Sequence, residues 1–230
     1  GGSDMYVATV QGDLDFVKLE AWYAGLQETF NTYTLAATSN LDLAENAKLG
    51  LEARYVNLKL KQDAADDLHA ITGGAGLTDA ETKNDMFRFA VDGKFSIVNA
   101  RLAYTMTDKK GGLTALDQDA KNTSLGWFLS PNGIANADYY QAALGADILD
   151  NLNFTLNYGN LKSKATGNAT LTGLGLADFK AQEVYGQLTY KMSKNLNTYL
   201  RYGNYEEKVN STGVKTVDQN MGRIQVAYTF

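Results

Sequence analysis

Along most of this chain, apolar and polar residues alternate one by one in segments about ten residues long, separated by turn-forming stretches. A period of two is the pleat of a β-strand, which sends successive side chains to opposite faces. Near the C-terminal end, Ile224, Val226, Tyr228 and Phe230 share one face, and Arg223, Gln225, Ala227 and Thr229 the other. Leu196, Thr198, Leu200 and Tyr202 likewise oppose Asn197, Tyr199 and Arg201, while Val184, Gly186, Leu188 and Tyr190 oppose Glu183, Tyr185 and Gln187. The same alternation organises 139–148, 152–158, 98–106, 87–95 and 49–55, with weaker versions at 33–37, 17–23 and 6–10. The pattern predicts about eleven strands, with ends uncertain by a few residues. Proline removes a ladder donor and is kept out of central strands. The chain has one, in the turn sequence Ser130-Pro131-Asn132-Gly133.

Links between these segments alternate in length. Short ones fall at 149–151, 193–195 and 93–96, with 40–46 a little longer. Long polar ones fall at 62–84, 108–137, 163–179 and 207–217. Short turns at one end of a sheet and long loops at the other are the arrangement of outer-membrane β-barrels, periplasm against exterior. With Phe230 at the periplasmic rim, every short link falls on that side. The echo of Asn157-Tyr158-Gly159-Asn160 in Arg201-Tyr202-Gly203-Asn204 is hairpin repetition, because a solenoid would need a fixed period.

Composition agrees once the two faces are separated. The outward set is Leu, Val, Ala, Phe and Gly in mid-strand, with Tyr55, Phe95, Tyr104, Tyr158, Tyr202 and Phe230 towards strand ends, as in aromatic girdles at two lipid interfaces. The opposite set is Gly, Ala, Asn, Gln and Thr with interspersed charges, which suits a water-filled lumen and not a dry core. The mean hydropathy of −0.30 averages these two faces, so it does not argue against a membrane barrel. No apolar segment approaches the roughly 20 residues of a membrane helix. Net charge is −5 and no run of Lys or Arg stands out, so nucleic acid is not an expected partner. The absence of cysteine excludes disulfides and thiolate metal sites. The fold expected is an all-β, transmembrane, antiparallel up-and-down β-barrel, with 1–230 in a single barrel domain.

The terminal segment 221–230, with alternating hydrophobics, Tyr228 two before the end and Phe230 last, resembles the signal read by the barrel-assembly machinery. More narrowly, Phe16-Val17-Lys18-Leu19-Glu20-Ala21-Trp22-Tyr23, Leu51-Glu52-Ala53-Arg54-Tyr55, 196–205 and 221–230 resemble the major outer-membrane porin family of Campylobacter and related bacteria. The resemblance covers nearly the whole chain as a pattern, though only these short stretches are specific. It implies a homotrimeric, non-specific diffusion porin in the outer membrane of a Gram-negative bacterium, in contact with outer-membrane lipid and lipopolysaccharide. It also implies a large barrel of about 16–18 strands. This chain departs from that pattern in holding only about 11–12 strands, and in lacking the family's N-terminal strands and the inward-folded loop that narrows the pore. Single-chain bacterial barrels have even strand numbers, so the expectation is the C-terminal portion of a larger barrel. Gly1-Gly2-Ser3-Asp4 suits a mid-protein loop as well as a mature terminus.

The candidate pore-lining residues are Lys18, Glu20, Glu52, Arg54, Arg88, Asp92, Arg101, Asp147, Glu183, Arg201 and Arg223. Opposed basic and acidic walls would set a transverse field and a weak ion selectivity; the same residues could equally be cross-strand pairs bracing the wall. Ile224, Val226, Tyr228 and Phe230 are the candidate assembly signal. The carboxylates Asp63, Asp66, Asp67, Asp79 and Glu81 in 62–84 are weak Ca²⁺ candidates without EF-hand spacing, and a solvated loop explains them better. Asp117 and Asp119 read the same way. His69 is the one histidine and lies in that loop, which gives little support to catalysis, and no cofactor is expected. Trp22 is expected on the lumen side. Leu125-Gly126-Trp127-Phe128-Leu129 is too apolar for an open loop and suggests a partial plug or a subunit contact. Passive diffusion of ions and small hydrophilic solutes is the leading reading; a closed barrel acting as an adhesin or anchor through its loops is the alternative.

Overall fold

The computed structural model describes residues 4–65, 82–111, 113–115, 121–167, 172 and 175–229. Asp66, Asp67, His69, Asp79, Glu81, Asp117, Asp119 and Phe230 lie outside the described residues. Eleven strands are present: β1 (Met5–Leu14), β2 (Val17–Leu26), β3 (Phe30–Ala44), β4 (Ala47–Leu60), β5 (Lys83–Phe95), β6 (Val98–Thr107), β7 (Ala137–Leu149), β8 (Leu152–Ser163), β9 (Phe179–Lys191), β10 (Leu196–Val209) and β11 (Lys215–Tyr228). They form one antiparallel sheet whose spatial order is the chain order, the up-and-down topology expected of the sequence. β1 and β11 each pair on one side only among the described residues, so the sheet is open.

The strand β3 is much longer than its weak alternation at 33–37 predicts. Thr32, Thr34 and Thr38 on one face and Ala37 and Ser39 on the other blur the contrast, yet β4 pairs with it continuously from Phe30 to Asp42. That pairing shrinks the link expected at 40–46 to a tight turn at 45–46. The link expected at 207–217 shrinks likewise to 210–214, because β10 and β11 extend towards each other through a bulge between Glu207 and Lys208. Links 15–16, 45–46, 96–97, 150–151 and 192–195 define a turn end of the sheet. Links 61–82, 108–136 and 164–178 fall at the opposite, loop end. Two links at the loop end, 27–29 and 210–214, are short as well, so the alternation of link lengths is weaker than the sequence suggests.

Sheet register sorts the two faces without ambiguity. Leu51, Val91, Leu102, Leu144, Leu156, Leu188, Leu200 and Ile224 lie on one face, most of them well exposed to its surroundings. Tyr33, Tyr55, Phe87, Tyr140, Tyr158 and Tyr202 lie on the same face, nearer the loop end, and Phe95 nearer the turn end. Among the described residues nothing packs against this outer face, which suits contact with lipid and not with water. Among the described residues no helix is long and apolar enough to cross a membrane. The inner face departs from expectation in its loop-end half. There Val56, Leu58, Leu60, Met86, Tyr139 and Leu161 are buried instead of lining water. Phe30, Leu58 and Leu60 pack with Leu113 of the long link, and Tyr139, Leu161 and Phe179 pack with Leu129 and Ile134 from the same link.

Candidate functional site

The inner face carries Lys18, Glu20, Glu52, Arg54, Arg88, Asp92, Arg101, Asp147, Glu183, Arg201 and Arg223, since each shares strand parity with its neighbours across the ladder. Trp22 lies there too, opposite Thr34, and its Nε1–H donates to Glu20 Oε2 (3.2 Å). Ile224, Val226 and Tyr228 lie on the outer face of β11. Asp63 follows β4 at the loop end, and the described residues contain no group of three or more His, Cys, Asp or Glu able to hold a metal ion.

The expected absence of an inward-folded loop is overturned. Residues 121–129 of the β6–β7 link lie against the inner face and are fixed to it at two places. At the first, Arg88 Nε–H donates to Glu52 Oε1 (2.9 Å) and its Nη2 to the carbonyl of Lys121 (2.6 Å). Arg54 joins the same carboxylate through Nη2 (3.4 Å) and donates through Nη1 to Asn122 Oδ1 (3.2 Å). The Asn122 amide then donates to Thr34 Oγ1 (2.9 Å) on β3. Two buried guanidinium groups on one carboxylate leave a net positive charge, which the Lys121 backbone carbonyl and the Asn122 side-chain oxygen answer in part. Arg54 Nε and Arg88 Nη1 stay buried without a hydrogen-bond partner among the described residues.

At the second place, a carboxylate is the anchor. Glu183 on β9 is only 1 % exposed. Three successive backbone amides converge on it: Trp127 N–H donates to Oε1 (3.0 Å), and Phe128 and Leu129 N–H donate to Oε2 (2.7 and 3.1 Å). Charge-assisted bonds of this kind are roughly twice as strong as neutral ones. The approach leaves no room for a side chain at Gly126 of the strap and little at Gly159 of β8. A Cβ at Gly126 would stand 2.3 Å from Glu183 Oε1, and one at Gly159 would stand 3.1 Å from Glu183 Cγ and 3.2 Å from Leu129 Cδ1. Tyr139 completes the seat, its hydroxyl 3.2 Å from Ser124 Oγ and donating to the Leu129 carbonyl (3.3 Å). The neck of the loop is closed by Asn132, whose Oδ1 accepts from the N–H of Thr114 (2.8 Å) and Ala115 (3.1 Å).

Trp127 projects from this strap towards β9–β11. Arg201 Cζ lies 4.9 Å from its ring centre, 5.0 Å from that of Tyr185 and 5.1 Å from that of Tyr199. Gln187 Oε1 accepts two bonds from the Arg201 guanidinium (2.8 and 2.6 Å) and fixes its plane. Arg223, directly opposite Arg201 in the ladder, reaches to 6.0 Å from the Trp127 ring. Arg101 pairs with Asp92 across the β5–β6 ladder (2.6 Å), and Lys94 pairs with Asp147 (3.2 Å). These two pairs, with Arg54 and Arg88 on Glu52, brace the wall and do not form separate walls of opposite sign. Below the strap, towards the turn end, a cavity of about 720 Å³ opens between Asn40, Asp92, Arg101, Thr155, Asn157 and the strap residue Gly126.

The sequence pointed to the strap through the apolar run 125–129, and to Glu183, Arg54 and Arg88 through strand parity. It did not single out Asn122, Asn132, Thr34 or Tyr139. Short polar side chains in loops and threonines in strands are common, and only the tertiary structure brings these four to the strap.

A meander of eleven long strands, aliphatic and aromatic outside, charged and polar within, with a loop laid on the inner wall, is the fold of outer-membrane β-barrel porins. No protein-family model and no curated protein matches the chain. Among solved structures it is similar to OccAB2 of Acinetobacter baumannii, with a TM-score of 0.70 and 21 % identity over 98 % of this chain and 54 % of that one. The outer membrane protein OprD from Pseudomonas aeruginosa gives a TM-score of 0.69 at 15 % identity over 99 % and 62 %. OccK1 (OpdK) of the same organism gives 0.69 at 13 % over 99 % and 60 %. The chain therefore spans less than two thirds of the length of these relatives, and at such identities the likeness defines the fold. The neighbours are of the OprD and Occ type and do not single out the Campylobacter family.

Proposed function

We propose that this chain forms part of the wall of an outer-membrane porin, through which ions and small hydrophilic solutes diffuse passively. The observation that carries the reading is the strap 121–129, seated on a charged inner face beside a cavity of about 720 Å³ whose mixed lining includes Asn40, Asp92, Arg101 and Asn157. A loop in that place narrows a passage and leaves water beside it. The field across the passage is set by Arg201 and Arg223, which have no carboxylate partner among the described residues, against Glu20 on the far strand β2. No chemical step and no cofactor belongs to this function. The strands cross the membrane of a Gram-negative cell with the loop end outside, and Ile224, Val226, Tyr228 and Phe230 address the chain to the barrel-assembly machinery. Homotrimeric assembly and membership of the Campylobacter porin family are narrower proposals supported by the sequence resemblance.

Full-length protein in a planar lipid bilayer gives stepwise, ohmic conductance on this reading. A fully inserted protein with no conductance would sink it in favour of the closed barrel acting as an adhesin through its loops. Intact mass in mild detergent tests the trimer.

A further inference from the structure

Sheet register places Lys162 of β8 opposite Lys180 of β9, Lys180 opposite Lys208 of β10, and Lys208 opposite Lys215 of β11. Four adjacent strands thus present one row of four lysines on the outer face, on the order of 14 Å wide at ordinary strand spacing. Lys162 stands on the order of 13 Å along β8 beyond Tyr158, past the aromatic residues and towards the loop end. At the turn end of the same strands the outward positions hold Leu152, Tyr190, Leu196 and Tyr228.

Like charges directly opposite one another weaken a sheet. Half of the row is compensated internally: Glu206 accepts from Lys208 (2.6 Å) and Lys215 (2.7 Å), and Asp218 from Lys215 (2.7 Å). Lys162 and Lys180 are exposed, and neither joins an ion pair among the described residues. Lys162 stands opposite Asp138 in the β7–β8 ladder, but that carboxylate is held by Lys164 (2.8 Å). The fold therefore keeps two neighbouring ammonium groups without a direct ion pair at head-group depth, beyond the apolar and aromatic outward residues Leu156, Tyr158, Leu188 and Tyr202. Their flexible stems can follow the apolar surface while the charged ends reach an anion.

Resting on the reading of this wall as membrane-embedded with its loop end outside, we propose that the row binds a bis-phosphorylated glycolipid of the lipid A type. Lys162 and Lys180 take one phosphate between them, and Lys208 borders the second. The confinement of the row to one end of the wall selects a single leaflet. Lys208, one strand spacing from Lys180 and shared with Glu206, gives a second phosphate a partner that a single phosphodiester leaves unused, which favours the doubly phosphorylated lipid over a phospholipid.

The test uses full-length protein freed of lipid in detergent and placed in phosphatidylcholine nanodiscs containing lipid A or phosphatidylglycerol, with bound lipid counted by native mass spectrometry. Lipid A is retained more tightly than phosphatidylglycerol. Each lysine near a charged membrane surface contributes on the order of five-fold, so K162Q/K180Q lowers lipid A retention about thirty-fold. K191Q/K194Q removes the same charge at the turn end and leaves retention unchanged. Equal retention by wild type and K162Q/K180Q, equal loss in K191Q/K194Q, or equal binding of phosphatidylglycerol would overturn the proposal. Protease protection in the same nanodiscs is read first. Protein that inserts but holds no lipid A sinks the lysine row alone, whereas protein that stays outside the bilayer sinks the reading of the chain as a pore wall.

Discussion

The inner face of this sheet is two surfaces carried by the same strands. At its loop end Val56, Leu58, Leu60, Tyr139 and Leu161 are buried, and Arg54, Arg88, Tyr139 and Glu183 are hydrogen-bonded to the β6–β7 link. At its turn end Asn40, Asp42, Asn99, Asn157 and Thr189 remain partly or fully exposed. β4 shows the change within one strand: Glu52 and Arg54 give way to Val56, Leu58 and Leu60 at successive inward positions. A strand's inward residues answer to whatever lies opposite them, water at one end and a folded loop at the other. The strap at 121–129 is the boundary between the two regimes.

Breaking that boundary should have the largest effect. Glu183→Ala removes the acceptor of three amide donors in a buried setting, at a cost of about 3–5 kcal/mol. The strap is then released and single-channel conductance rises; unchanged conductance with an unchanged denaturation midpoint would show that the strap is held elsewhere. Leu58→Ala probes the dry half alone and costs about 2–4 kcal/mol through the cavity it leaves, read as a lower denaturation midpoint at near-normal conductance. In the wet half, Arg101→Gln removes an ion pair whose side chains are 40 % and 46 % exposed. Its stability cost is below about 1 kcal/mol, and its expected signature is a shift of reversal potential towards cation selectivity in a salt gradient.

The smallest effect concerns pH at the loop end. Burial, and then the neighbouring charge of Asp85, raise the carboxyl of Asp108 above its ordinary range. A raised folded-state value means that the folded protein binds this proton more tightly than the unfolded chain. The stability it confers is present at low pH and is lost as pH rises from the ordinary carboxyl value through the raised one. Asp108→Asn removes that part of the pH slope in urea titrations; an identical slope in the variant would refute it.

Most of the architecture was legible because a strand that separates lipid from water must alternate. Ile224, Val226 and Tyr228 against Arg223 and Gln225 leave little room for another reading. The blurred strand was β3, where threonine and alanine occupy both faces and carry little hydrophobic contrast. The strap was half legible. Trp127 and Phe128 marked it as too apolar for solvent, but its seat depends on Glu183, more than fifty positions away by the separation of the bonded residues. No local pattern encodes a contact at that distance. The inner residues Leu58 and Leu60 lay beyond the alternation read at 49–55, and parity would in any case tell which way a side chain points and not what it meets.

The two unpaired edges, β1 and β11, carry a consequence for any membrane-spanning form of this sheet. Each edge presents a column of backbone donors and acceptors, and in hydrocarbon every one left unmatched costs several kcal/mol. Summed over strands of ten and fourteen residues, an open edge facing lipid is prohibitive. Both edges must therefore be matched by other strands. Antiparallel pairing then imposes parity: β1 starts at the loop end and β11 finishes at the turn end, so the set of strands that bridges them must be odd in number, and the ring even.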